Sequence, residues 1–148
     1  MDYTALCDEL KKPIYQDKSD QNAADIINAK TEVVRQPVEC GALKAYAIKQ
    51  GFYATIEEGC TASDVGERRL CLNIKAWIDD VGNRLQTVDM DDPITQDMMV
   101  GLVGYSIINA IEEQAMSDMA NVTVKWTELN NYPEMGIGLV QSARKING

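Results

Sequence analysis

The sequence contains no histidine. That absence removes the Ser-His-Asp and Cys-His pairs used for nucleophilic catalysis, and the HExxH metal helix with them. Cysteine is scarce: Cys7, Cys40, Cys60 and Cys71 are separated by 33, 20 and 11 residues, with no CxxC pair. A zinc site would have to use all four cysteines or recruit carboxylates, whereas structural zinc sites pair their ligands at close spacing. Cys7 and Cys71 sit among apolar residues at helical spacing and read as small core residues. Glycine-rich phosphate loops are missing, since Gly136-x-Gly138 is a lone fragment. The first residues hold no basic segment followed by an apolar one, so no signal peptide is expected, and reduced thiols in a cytosol are the default. The longest apolar stretch, Met98 to Ile111, is too short for a bilayer and is expected to be a buried core helix.

Basic residues are also few. Fourteen Lys and Arg face 23 Asp and Glu, for a net charge of −9 and a pI near 4.4. The basic groups are short: Lys11-Lys12, Arg68-Arg69 and Arg144-Lys145. Such a chain is repelled by phosphate backbones, which argues against nucleic-acid binding through a broad basic patch. The charge instead suits solubility, or the field around an assembly. Acidic pairs occur at Glu57-Glu58, Asp79-Asp80, Asp91-Asp92 and Glu112-Glu113. Neighbours on a helix diverge by about 100°, so these pairs do not face a common substrate and read as solvated helix ends. Asp89, Asp91 and Asp92 with Asp79 and Asp80 lack the alternating oxygens, glycine and final glutamate of a calcium loop. No cofactor or metal is implied, and the chain reads as a non-enzyme.

The 148 residues fit one domain with a core of its own, and the 45% hydrophobic content is that of a globular protein. Asp2 caps a first helix whose Tyr3, Leu6, Cys7 and Leu10 share a face, and Pro13 stops it. Ser19 caps a second helix carrying Ala23, Ile26 and Ile27, with Val33 and Val34 ending it or starting an extended piece. Pro37 suits the first position of a third helix with Ala42, Leu43, Tyr46 and Ala47 on its apolar face. A short helix with Phe52, Tyr53 and Ile56 follows, closed by Gly59. Thr61 or Ser63 caps the fourth main helix, whose Leu70, Cys71, Ile74, Trp77 and Ile78 face inward, with Gly82 past its end. After a connector with Leu85 and Val88, Asp92-Pro93 starts a fifth helix running to about Met119, apolar over more than half its circumference. Its Gly101, Gly104, Ser106 and Ala110 let another backbone approach closely, inside the monomer or from a neighbouring subunit. Beyond it Val122, Val124 and Trp126 alternate with polar residues at the strand period, and Gly136 to Val140 reads as a second extended piece. The fold class is therefore mainly α: a five-helix bundle over residues 1–121, with a small two-stranded C-terminal β element in an assembly extension over 122–148.

Both ends of the chain carry a further pattern. Met1-Asp2-Tyr3-Thr4-Ala5-Leu6 opens the first helix and Ser19-Asp20-Gln21-Asn22-Ala23-Ala24-Asp25-Ile26-Ile27-Asn28 forms the second. Near the end, Val124-Lys125-Trp126-Thr127-Glu128-Leu129 precedes Met135-Gly136-Ile137-Gly138-Leu139-Val140 and Ala143-Arg144. In order and spacing these stretches resemble a group of small tailed-bacteriophage proteins encoded among the virion structural genes. The family-like pattern is a short strand, a Ser or Thr cap with Glu after it, a Gly-x-Gly turn, a second strand and a closing Ala-Arg. Thr127 stands where serine is usual, and Asn130 to Glu134 resembles a small insertion. The middle of the chain matches only in helical pattern.

The resemblance implies a non-enzymatic virion component assembled in the host cytoplasm, such as a neck adaptor forming a homo-oligomeric ring between portal and tail. Its partners would be itself, the portal and neighbouring neck or tail proteins, with no membrane and no sequence-specific nucleic acid. The candidate assembly residues are Gly101, Gly104 and Tyr105 on the fifth helix, and Val124, Trp126, Leu129, Ile137, Leu139 and Arg144 in the tail. Trp126 fits either a core position or an interface anchor. Two other readings remain open: a small acidic phage protein that binds and inhibits a host factor, and a carboxylate-based or metal-dependent hydrolase.

Overall fold

The computed structural model describes residues 1–81 and 87–148, and of residues 80 and 81 the backbone only. Gly82 and Leu85 lie outside the described residues. The fold is mainly helical, with nine α-helices and two two-stranded sheets among the described residues. None of these helices is long and apolar enough to cross a membrane. The chain divides into two compact units: Met1–Val34 with Thr123–Gly148, and Arg35–Val122. This differs from the expected bundle over 1–121 with an extension over 122–148, because the tail packs with the first 34 residues as one body.

In the first unit, α1 (Thr4–Leu10) follows Asp2, whose Oδ1 accepts from the Thr4 backbone N–H at 2.8 Å. Pro13 ends the helical register and starts a 3-10 turn, Pro13–Tyr15. Ser19 then caps α2 (Asp20–Ala29), its side chain accepting from the Asn22 N–H. Strand β1 is Thr31–Arg35. Leu6, Cys7 and Leu10 of α1 and Ala23, Ala24 and Ile27 of α2 are buried, as their spacing predicts. The other half of this core comes from the far end of the chain: Trp126, Tyr132, Met135, Val140 and Ala143.

The second unit opens with β2 (Val38–Glu39), which runs directly into α3 (Cys40–Gln50). Pro37 thus precedes a strand instead of starting a helix, and Ala42 is exposed where a core position was expected. Gly51, at φ 84°, takes the left-handed conformation that turns α3 into α4 (Phe52–Gly59). Helix α5 (Val65–Val81) is capped by Asp64, which accepts from the Glu67 N–H at 2.8 Å; Thr61 and Ser63 do not serve. Cys71, Ile74 and Ile78 are buried, with Leu70 and Trp77 packed at the margin. Strand β3 (Thr87–Val88) pairs antiparallel with β2, Val38 opposite Val88.

The expected fifth helix is two helices. Asp92 caps α6 (Pro93–Gly104), accepting from the Ile94 and Thr95 N–H groups. The chain then turns through Ser106 at φ 57°, and α7 (Ala110–Asp118) restarts from a capping box between Asn109 and Glu112. The break lets Ile107 and Ile108 enter the core while Val100 and Ile111 stay exposed. A straight helix would have had to bury both sets.

Strand β4 (Asn121–Lys125) follows, then α8 (Trp126–Leu129) and α9 (Ile137–Asn147). β4 confirms the strand period read around Val122 and Val124. Its partner is β1, not residues 136–140, which are helical from Ile137 onward. Trp126 is the first residue of α8, and Lys125, not Thr127, occupies the cap position.

Candidate functional site

The residues singled out for assembly fall into both units and are described unit by unit. In the tail, Trp126 is buried and stacks on Tyr132, with ring centroids 5.6 Å apart and planes 12° apart. Lys30 lies over the indole, its Nζ 5.9 Å from the ring centroid. The same Lys30 Nζ donates to Glu9 Oε1 at 2.6 Å. Glu9 is 4% exposed and also accepts from the Tyr15 hydroxyl at 2.8 Å and from Lys12. Burial pushes the Glu9 carboxyl up, but the hydrogen bonds from Lys12, Lys30 and Tyr15 outweigh it and hold it below its ordinary value. The Tyr15 hydroxyl is raised strongly, first by burial and then by its bond to Glu9. A buried carboxylate with three donors is a satisfied structural knot. The core tryptophan therefore belongs to this unit's interior and is not an exposed anchor.

Arg144 is likewise occupied. It donates to the Tyr15 and Lys18 carbonyls, both at 3.0 Å, and pairs with Asp20, so it ties α9 to the loop before α2. Leu139 is partly buried against the same core. Val124 is half-buried in β4, while Leu129 and Ile137 are exposed.

On α6, Gly101 packs inside its own unit: a Cβ there would come 2.9 Å from Leu70 Cδ2 of α5. Its small size is spent on the monomer. Gly104 has open space around it, and Tyr105 is exposed with its hydroxyl against Gly66. Ile94 and Ile111, 71% and 79% exposed, are prominent apolar side chains that sequence periodicity assigns no partner.

Four of the clustered aspartates, Asp79, Asp89, Asp91 and Asp92, are also engaged, while the side chain of Asp80 lies outside the described residues. Asp79 accepts from Lys75 at 2.8 Å, the Tyr53 hydroxyl at 2.6 Å and Lys44 at 3.1 Å. The Lys75 and Tyr53 bonds hold its carboxyl well below the usual aspartate range, against the opposing effect of burial, with Lys44 adding to them. Arg35 grips Asp91 with two nitrogens, at 2.8 and 3.0 Å, and also donates to the Ser117 carbonyl and hydroxyl and to Asn121. Asp92 caps α6, and Asp89 accepts from the Asp91 N–H. Among the described residues no group of three or more Cys, Asp or Glu is placed to hold a metal ion.

Neither the Glu9 nor the Asp79 network was anticipated. Each joins one carboxylate to a tyrosine and two lysines, and their members lie from three to 35 residues apart. Only the Glu9–Lys12 and Lys75–Asp79 pairs had a helical spacing that sequence could flag.

Comparison of the chain with protein-family models, curated proteins and solved structures finds no match.

Proposed function

We propose that this chain is a bacteriophage virion structural protein, a ring-forming neck adaptor between portal and tail, with no catalytic role. The observation that carries the proposal is the grouping of the family-like stretches. Residues 1–6, 19–28, 124–129, 135–140 and 143–144 come from the two ends of the sequence, yet all lie in the unit Met1–Val34 with Thr123–Gly148. They are linked there by specific contacts. Asn28 exchanges two hydrogen bonds with the Met135 backbone, at 2.6 and 2.9 Å, and Arg144 clasps the residues before α2. A scattered resemblance that maps onto one packing unit is what a shared structural module would leave in sequence. The other unit, Arg35–Val122, is then an inserted body, which accounts for the middle of the chain matching only in helical pattern.

Charge distribution favours a second reading. Arg35–Val122 carries fourteen carboxylates against seven Lys and Arg, so most of the −9 resides there. An acidic body of that kind also suits capture of a basic host protein. Affinity capture from infected cells separates the two readings. The adaptor reading expects portal, neck or tail proteins with the bait. A single host protein, with the chain missing from particles, supports the inhibitor instead.

A further inference from the structure

Helices α6 and α7 lie in a stretch of one charge sign: residues 87–122 hold seven Asp and Glu and no Lys or Arg. A groove of about 200 Å³ runs between the two helices, lined by Met90, Gln96, Met99, Val100, Glu113 and Ser117. Met90 is buried, Met99 is half-buried and Val100 is 64% exposed, so the apolar part of the lining reaches from the core to the surface. Most carboxylates of the stretch are committed. Asp91 holds Arg35, Asp92 caps α6, Glu112 belongs to the capping box, and Asp118 accepts from Gln114 and Asn121. Glu113 in the groove and Asp97 on α6 take part in none of the ion pairs among the described residues. Arg35 does reach the Ser117 hydroxyl at 3.2 Å, but its charge is met by Asp91, so the groove keeps the charge of Glu113.

We infer that this groove receives a basic amphipathic helix of a partner protein, with one Lys or Arg laid along Met99 and Val100 and its charge on Glu113. The occupant follows from the chemistry of the lining. Lys and Arg bury their methylene stems on apolar surface and keep the charged head beside a carboxylate, which matches Met90, Met99 and Val100 with Glu113 beside them. Methionine thioethers adapt to the shape of what they meet and recur on surfaces that take amphipathic helices. The groove is smaller than the ~300–1,000 Å³ of a small-molecule site, so it suits one long side chain of a larger partner. Nucleic acid is repelled by a surface of this sign. A second copy of the chain does not supply the helix, because its basic pairs are short and Lys12, Arg68 and Arg144 are already bound to Glu9, the Ala62 carbonyl and Asp20. The inference rests on the assembly reading above and gives it a partner segment of stated chemistry.

The test uses the full chain and a short synthetic helix of Leu and Lys, its leucines at helical spacing, beside the same peptide with Gln for Lys. Calorimetry gives the affinities, and amide NMR shifts map the contact. The Leu-Lys peptide should shift the amides of Met99, Val100 and Glu113, and the Leu-Gln peptide should bind far more weakly. Glu113→Gln should weaken Leu-Lys binding about tenfold, the usual effect of losing a hydrogen bond to a charged group. Val100→Ser, at an exposed position, should weaken both peptides. Glu57→Gln removes the same charge from exposed α4 and should change the affinity by less than about twofold, since charges far from the contact are screened. No binding, shifts that map elsewhere, or equal losses for Glu57→Gln and Glu113→Gln overturn the inference, the last by showing only general attraction to an acidic protein. A Val100→Ser chain that changes its own oligomeric state and binds the peptide like wild type also overturns it, by making this face a contact between copies. Particle composition is scored separately: a chain present in virions whose groove binds no basic helix leaves the virion assignment standing, and a groove that binds in a chain missing from virions leaves the groove standing without it.

Discussion

Tyr132 donates its hydroxyl proton to the Asp2 carbonyl at 2.8 Å, and the same oxygen accepts from the Leu6 N–H at 3.1 Å. A residue 126 positions away thus satisfies a first-turn N–H of α1, a group that no residue of that helix can reach. The ring of Tyr132 meanwhile stacks on Trp126. The two ends of the chain therefore fold as one unit and depend on each other.

Removing residues 122–148 is expected to unfold residues 1–34 as well, since those residues lose half of their core. Far-UV CD of the truncated chain should show more helix lost than α8 and α9 account for. A loss limited to those two helices would mean that α1 and α2 stand without the tail.

Trp126→Ala should destabilise the protein by about 3–5 kcal/mol, the usual cost of deleting a large buried aromatic. Urea unfolding followed by CD measures this. A variant as stable as wild type that fails only in assembly would return Trp126 to an interface role.

Much of the fold was legible where one local signal sufficed. Ser19 and Asp92 cap helices as their sequence context predicts, and the inward face of α5 follows from the spacing of Cys71, Ile74 and Ile78. The spacing reads as one long fifth helix because Met98 to Ile111 is mostly apolar, and periodicity carries little information in such a run. The Asn109–Glu112 capping box was the signal that marks its break. Residues 136–140 were read as a strand from their glycines and aliphatic residues. Ile137–Asn147 is instead helical, and Val140 and Ala143, one helical turn apart, are the residues it buries in the core. The pairing of β1 with β4 was not legible, since nothing local links residues so distant in sequence. Nor was the inward turn of Glu9, which depends on Tyr15 and Lys30 arriving from other elements.

Asn109→Ala should cost about 1 kcal/mol, as loss of an N-cap does elsewhere. The effect should appear as a lowered urea midpoint with an unchanged slope. No change would show that α7 does not rely on its capping box.

Acid should weaken the second unit through Asp79. Its folded-state pKa lies below the ordinary value of 3.8, so its contribution is fully present above that pH and fades as pH falls toward the lowered value. Urea midpoints measured from neutral pH down to strong acid should therefore fall less steeply for Asp79→Asn than for wild type. Parallel curves would show that the ties to Lys75, Tyr53 and Lys44 contribute no net stability.

The proposed role makes this chain a built-in part of a virion, and quantitative mass spectrometry of purified phage particles encoding it is the decisive measurement. The chain is expected in every preparation, at a fixed ratio to the portal protein that survives stringent washing. Abundance in infected cells with absence from the particles would contradict it.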